Sequence, residues 1–197
     1  TQSRSSAASD VYKRQPAGRP LAVIVVMGVC GCGKSTLAIE LADLLGWGYM
    51  AGDDLHPAEN IAAMSHGTAL TDAMREPWLA AIAAEIARRR GQGGCVVVSC
   101  SALKRSYRRT LLGGRDDVAF VHLDLDRETL AQRMAARTRH FMPPSLLDSQ
   151  LRILEPLDAS ELGLAFTSSV TAVSVVNSLH HSFALSGTAM NPDRGCG

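Results

Sequence analysis

Residues Leu21–Thr36 read LAVIVVMGVCGCGKST, and this stretch decides the fold. Leu21–Met27 is an apolar run rich in β-branched Val and Ile, with the length and composition of a buried strand. It stops at Gly28-Val29-Cys30-Gly31-Cys32-Gly33-Lys34-Ser35-Thr36, and helix formers continue from Leu37 to Leu45. Strand, G-x-x-x-x-G-K-[ST] turn and helix, in that order, are the parts of a phosphate-binding loop. Gly28, Gly31 and Gly33 permit positive φ, so the backbone can curl around a phosphate group. The N–H groups of the loop, from Gly28 through Thr36, then point with the helix N-terminus at that anion. Lys34 reaches the β- and γ-phosphates, and the Ser35 hydroxyl is the Mg²⁺ ligand. A glycine turn that only joins a strand to a helix needs neither the lysine nor the full spacing. The chain is therefore expected to bind a nucleoside triphosphate, ATP or a relative, with Mg²⁺.

The rest of the composition narrows the partners. At 197 residues the chain suits one domain with a proper core, and its formal net charge of +1 exerts no overall pull on nucleic acid or an anionic membrane. The basic run Arg88-Arg89-Arg90 closes a helix just before Gly91, where cations complement the helix dipole. No apolar stretch reaches the ~18 residues of a membrane span. The cysteines at 30, 32, 95, 100 and 196 form neither a C-x-x-C pair nor a zinc pattern, which fits a reducing cytosol. Cys30 and Cys32 lie beside Lys34 and a helix N-terminus, surroundings that lower a thiol pKa and make oxidative inactivation a reading to test.

Along the chain, Thr1–Pro20 lacks apolar periodicity and reads as a disordered segment: a transit peptide, linker or tag. The kinase domain is placed at 21–166. Helix Lys34–Leu45 ends at Gly46, strand Trp47–Ala51 follows, and Pro57 opens a helix to Met64. Ser65–Arg75 reads as loop and Pro77–Arg90 as an amphipathic helix with Trp78, Ile82 and Ile86 on one face. Strand Cys95–Ser99, helix Ala102–Leu112, strand Val118–Leu123, helix Asp126–Arg137 and helix Ser145–Leu154 complete the alternation, with a lid at about 137–144. This rhythm predicts an α/β fold: a three-layer phosphate-loop kinase with a parallel sheet covered on both faces. The tail, 167–197, has no Lys, Arg, Asp or Glu from Thr167 to Pro192 and no clean period, so Val170–Val176 is expected as a strand or as loose, disordered chain.

Phosphoryl transfer needs a base or positioning group for the acceptor and cations over the transferred group. Asp53 ends a strand where open α/β sheets place ligands, and is the candidate base; a helix-capping or solvated-turn role is the plain alternative. His56 offers a contact for an acceptor hydroxyl or carboxylate, or merely caps Pro57. Arg75 supplies bidentate geometry for an anionic acceptor and Lys104 a point charge, against the plain alternative of solvated surface residues. Arg133, Arg137, Arg139 and His140 ride the helix and loop of the lid, where arriving cations neutralise transition-state charge.

In order and spacing, MGVCGCGKST, GDDLHPAENIAAM, LTDAMREPWL, VVSCSALKRSYR and RHFMPPSLLDSQLRILEP resemble the gluconokinases of the shikimate-kinase-like branch of phosphate-loop kinases. The match covers about Val23–Pro156. The resemblance implies ATP-dependent phosphorylation of D-gluconate to 6-phosphogluconate with Mg²⁺, in a cytoplasmic homodimer. It implies that Gly28–Ser35 bind ATP, that Lys34, Asp53 and Arg137 are catalytic, and that His56, Arg75, Lys104 and His140 help bind gluconate. The chain departs from the family pattern at Met74, where an acidic residue is usual, at Arg139, usually Gly, and at Cys30 and Cys32, usually Ser. Two other readings stay open: a same-fold kinase for another small acid or polyol such as shikimate, and a nucleotide-binding remnant without turnover.

Overall fold

The computed structural model describes residues 20–135 and 145–186. Within them, strands β1 (Val23–Met27), β2 (Gly48–Ala51), β3 (Val96–Ser99), β4 (Val118–Leu123) and β5 (Gly163–Phe166) form one sheet in the order β2-β3-β1-β4-β5. Every pairing is parallel: Val25 lies opposite Val98 on one side and Phe120 on the other. Parallel strands need crossover connections, and the helices that supply them bury both faces of the sheet. Accordingly β1, β3 and β4 are buried along their whole length.

The period-2 alternation of each strand sorts these apolar runs into two cores. Ile24, Val26, Ala119 and Val121 meet α1 (Lys34–Leu45) and α7 (Ala172–Ser182). Val23, Val25, Val118 and Phe120 face α3 (Asp72–Gly91) and α4 (Arg105–Leu112). Between these elements lie α2 (Ala58–Ser65), α5 (Arg127–Ala135) and α6 (Ser145–Ile153). Because β1 is the central strand, the phosphate loop opens at the middle of the sheet's carboxyl edge.

Three expectations are corrected. The helix expected at Pro77 begins at Asp72, because Thr71 caps it by accepting the Met74 N–H at 3.3 Å. That cap lifts Arg75 out of the expected loop and onto a buried helix face. The helix expected at Ala102 begins instead at Arg105. Ala102 is fully buried at φ 45°, and the Arg105 N–H donates to the Glu155 carboxylate at 2.6 Å, a cap supplied from a distant part of the chain. In the tail, 172–182 is a helix rather than a strand or loose chain. Thr171 caps it through the Ser174 N–H, and Val175, Val176 and Leu179 pack into the α1 face. The chain then returns beside Leu21, whose N–H donates to Ala184 O at 2.7 Å. The remaining expectations for 1–19 and 187–197 lie outside the described residues.

The run Arg88–Arg90 closes α3 as expected and also ties it down. Arg88 and Arg89 grip Glu85 and hold its carboxyl down at about 2, while Arg89 also donates to Tyr49 O. Arg90 pairs with the buried Asp117 at 3.0 Å.

His122 on β4 is 1 % exposed, and its Nε2 has no hydrogen-bond partner among the described residues. Burial pushes its pKa below the ordinary histidine value, outweighing the pull of Asp124. A histidine depressed in the folded state binds its proton more readily when unfolded, so its contribution is present above about pH 6.5 and lost as pH falls. The urea midpoint is thus expected to drop between pH 7.5 and pH 5.5, about a unit either side of the free-histidine value, and His122→Asn to flatten that slope. An unchanged slope in the variant would show that His122 does not drive it.

Candidate active site

The phosphate loop is shaped by close approaches that exclude side chains. Gly28 has φ 140°, and a Cβ there would stand 2.7 Å from Leu123 O and 2.9 Å from Cys32 Sγ. Gly31, at φ 82°, is pressed equally close to Met134. The loop is also tied to its neighbour: the Gly28 N–H donates to Ser101 O at 3.2 Å. Lys34 folds back over the loop, its ammonium donating to Val29 O at 2.9 Å. Ser35 and Thr36 are exposed at the start of α1, and both line the cleft.

Opposite the loop, β2 ends in a 3₁₀ turn, Gly52–Leu55, that carries Asp53. Its geometry comes from α3: the Trp78 indole N–H donates to Gly52 O at 2.7 Å. The His56 ring stacks on Trp78, centroids 4.0 Å apart and planes 15° apart. Burial lowers the His56 pKa despite the nearby Asp53, and Arg75 lowers it further. His56 is therefore a neutral hydrogen-bonding group near pH 7, not a cation. Asn60 on α2 donates to Met74 O at 2.9 Å, joining α2 to α3. Met74 contributes its backbone here, so the departure at its side chain leaves this contact intact.

These elements enclose a cleft of about 310 Å³ lined by Lys34, Ser35, Asp53, His56 and Arg75 together with Ser101 and Gln150. Lys34, Asp53, His56 and Arg75, singled out in separate motifs of the sequence, thus converge. Lys104 does not line this cleft; its ammonium bonds Asp72 at 2.6 Å. Asp72 also accepts from the Tyr107 hydroxyl, and Arg75 Nη1 lies 3.4 Å from that hydroxyl. Hydrogen bonds from Lys104, then Tyr107, hold the Asp72 carboxyl below its ordinary range. Lys104 and Arg75 are consequently linked behind the cleft wall. Arg137, Arg139 and His140, with the lid at 137–144, lie outside the described residues.

A second cleft of about 370 Å³ opens on the other side of the loop. Gly33, Thr36, Leu37, Glu40, Arg133 and Ser168–Val170 contribute to its walls. Arg133, expected on the lid, bridges Cys32 O at 3.1 Å and Ser169 Oγ at 2.6 Å, joining the phosphate loop to the segment after β5. Cys32 is buried beneath the loop, whereas Cys30 lines the first cleft with its Sγ 3.6 Å from Met134 Sδ.

Several site groups escaped the sequence reading. A buried indole must find an acceptor for its N–H, so Trp78 carried a usable signal. Ser169 carried none; Tyr107 and Gln150 lie within the segments VVSCSALKRSYR and RHFMPPSLLDSQLRILEP, but their contacts are not legible there, since only folding brings them to the acceptor wall and the loop. Among the described residues no cluster of His, Cys, Asp or Glu forms a metal cage. Mg²⁺ still fits: it is commonly held by few protein oxygens plus substrate phosphates, and Ser35 and Asp53 present such oxygens to one cleft.

The chain matches the family model described as an AAA domain over residues 24–142. It is 50% identical to the gluconokinase of Gluconobacter oxydans over 67% of this chain and 74% of that protein. The probable gluconokinase of Xenopus tropicalis is 44% identical, with 73% and 83% covered. Among solved structures, a sugar kinase from Janibacter superposes with a TM-score of 0.77 at 40% identity, covering 83% of this chain and 94% of that one. A gluconokinase from Sinorhizobium meliloti gives 0.69 at 45% identity, with 81% and 90% covered. Shikimate kinase from Acinetobacter baumannii, at 20% identity and a TM-score of 0.55, shares the fold.

Proposed function

The chain belongs to the gluconokinase family, and we propose that it transfers the γ-phosphoryl group of ATP to the 6-hydroxyl of D-gluconate. The observation that carries this reading is the single cleft shared by Lys34, Asp53, His56 and Arg75. Triphosphate lies along the loop from Gly28 to Thr36, with the nucleoside end in the Arg133 and Ser169 cleft. Arg75 takes the gluconate carboxylate, backed by Tyr107, Asp72 and Lys104, and His56 hydrogen-bonds a sugar hydroxyl as a neutral ring. Arg137 and His140 belong to the same reading as lid residues.

In the reaction, the acceptor oxygen forms its bond to the γ-phosphorus as the bond to the β,γ-bridging oxygen breaks. Asp53 takes the hydroxyl proton, ADP leaves with the bridging oxygen, and 6-phosphogluconate remains. Lys34 stabilises charge on the transferred group in a water-poor cleft, where fixed charges act most strongly. Mg²⁺, held through Ser35, supplies neutralisation of phosphate charge when bound. We extend the proposal to a cytoplasmic homodimer; no helix among the described residues is long and apolar enough to cross a membrane.

A coupled ADP-release assay across gluconate, shikimate and related polyols tests the reading. Release stimulated by gluconate above all other acceptors is expected. Preference for another acid would reassign the substrate, and ATP binding without stimulated release would leave a nucleotide-binding protein without turnover.

A further inference from the structure

Gln150 makes a contact that neither the sequence motifs nor the general chemistry of the fold assigns. Its side-chain carbonyl, on α6, accepts the Cys30 backbone N–H at 2.7 Å across 120 residues of sequence. That N–H belongs to the phosphate loop. A backbone N–H has only a donor to offer, so the carboxamide must face it with oxygen and turn its NH₂ away. The acceptor end of a neutral side chain therefore occupies a donor that the loop otherwise offers to phosphate.

The position identifies which phosphate. Gly33 and Thr36 line both clefts, but Cys30 and Gln150 line only the one shared with Asp53 and Arg75. The contact thus lies toward the acceptor end of the nucleotide track, where the transferred group must sit, and away from Arg133 and Ser169. Lys34 points to the same end, its ammonium resting on Val29 O next to Cys30.

We propose that Gln150 is the residue that reads the γ-phosphoryl group, an inference that rests on the nucleotide-binding reading above. A phosphoryl oxygen is charged and accepts a hydrogen bond more strongly than an amide carbonyl. ATP therefore displaces the carbonyl from the Cys30 N–H, and the released carboxamide presents its NH₂ to the same phosphoryl group. ADP has no γ-group and leaves the contact in place. Gln150 thereby favours ATP over ADP and couples α6 to the state of the loop.

The experiment measures calorimetric binding of ADP and of a non-hydrolysable ATP analogue to the parent, Gln150→Ala, Gln150→Glu and Lys34→Ala, with thermal melts as folding controls. Gln150→Glu keeps an acceptor for the loop N–H, makes it anionic and removes the donor. It is expected to weaken the analogue by about tenfold or more while ADP changes by less than about threefold. Gln150→Ala is expected to narrow the analogue-to-ADP preference by about threefold or more through loss of the donor. Parallel losses for both nucleotides, or the parent's preference retained in both variants, would overturn the role of Gln150. If Lys34→Ala loses both nucleotides in that case, the nucleotide reading survives. A parent that binds neither nucleotide would sink both.

Discussion

Asp53→Asn is expected to lower kcat by roughly 10²–10⁴-fold, the range a positioned general base contributes, while ATP binding stays near that of the parent. Asparagine keeps the size of the side chain and one acceptor oxygen, but it cannot take the acceptor's proton. The surrounding geometry does not depend on the carboxylate. The turn that carries it is fixed through Gly52 O by Trp78, and the next ring, His56, rests on that indole. Single-turnover kinetics with nucleotide titration separates the outcomes. Equal loss of kcat and nucleotide affinity would make Asp53 a structural or phosphate-binding group instead. An accompanying change in pH profile is also expected, since the variant has removed the group that receives the proton.

The largest stability effect is expected at Arg108, which lines neither cleft. Its guanidinium is fully buried and pairs with Glu161 at 2.6 Å, the carboxylate side chain being 6 % exposed. It also donates to Glu155 O at 3.0 Å and Pro156 O at 3.1 Å, and reaches Ala102 O and Leu103 O. The group thereby fastens α4, the turn before it and the chain leaving α6 at one point. Burial alone would raise the Glu161 pKa, yet the arginine brings it below the ordinary value. Arg108→Ala leaves that carboxylate buried without its cation, a change that costs about 3–5 kcal/mol. For a chain of this size the melting temperature is expected to fall by about 6–20 °C. The double variant Arg108→Met with Glu161→Gln removes both charges and is expected to lose less than the sum of the single changes. Additive losses would show that the pair is not the source of the effect.

Sequence reading succeeded where function sits in contiguous residues. Leu21–Thr36 contains its own strand, turn and helix, and the local chemistry of glycine, lysine and serine leaves few alternatives. The apolar runs at Val96–Ser99 and Val118–Leu123 were equally legible, because strands buried on both faces carry no polar interruptions. Asp53, His56 and Arg75 could be chosen as polar groups near strand or helix ends, but their convergence was not readable. Lys104 shows the limit, since its ammonium is directed to Asp72 by a partner from another helix.

The tail failed for a different reason. Ala172, Val175, Val176, Leu179 and Ser182 are buried at helical spacing, so the period was present. Its outer face carries Ser, Asn and His in place of charged residues, so the polar side of the amphipathic pattern is weak in the sequence.

By itself the sequence determined an anion-binding loop between a buried strand and a helix and the chemistry its lysine can perform, because those depend on neighbouring residues. Tertiary structure decided which side chains face that loop. Gln150 reaches Cys30, Arg133 reaches Ser169 and Arg108 reaches Glu161 only because the crossover helices fold long separations in sequence into hydrogen-bond distances. Contacts of a few ångströms between remote residues are set by packing, and no local pattern encodes them.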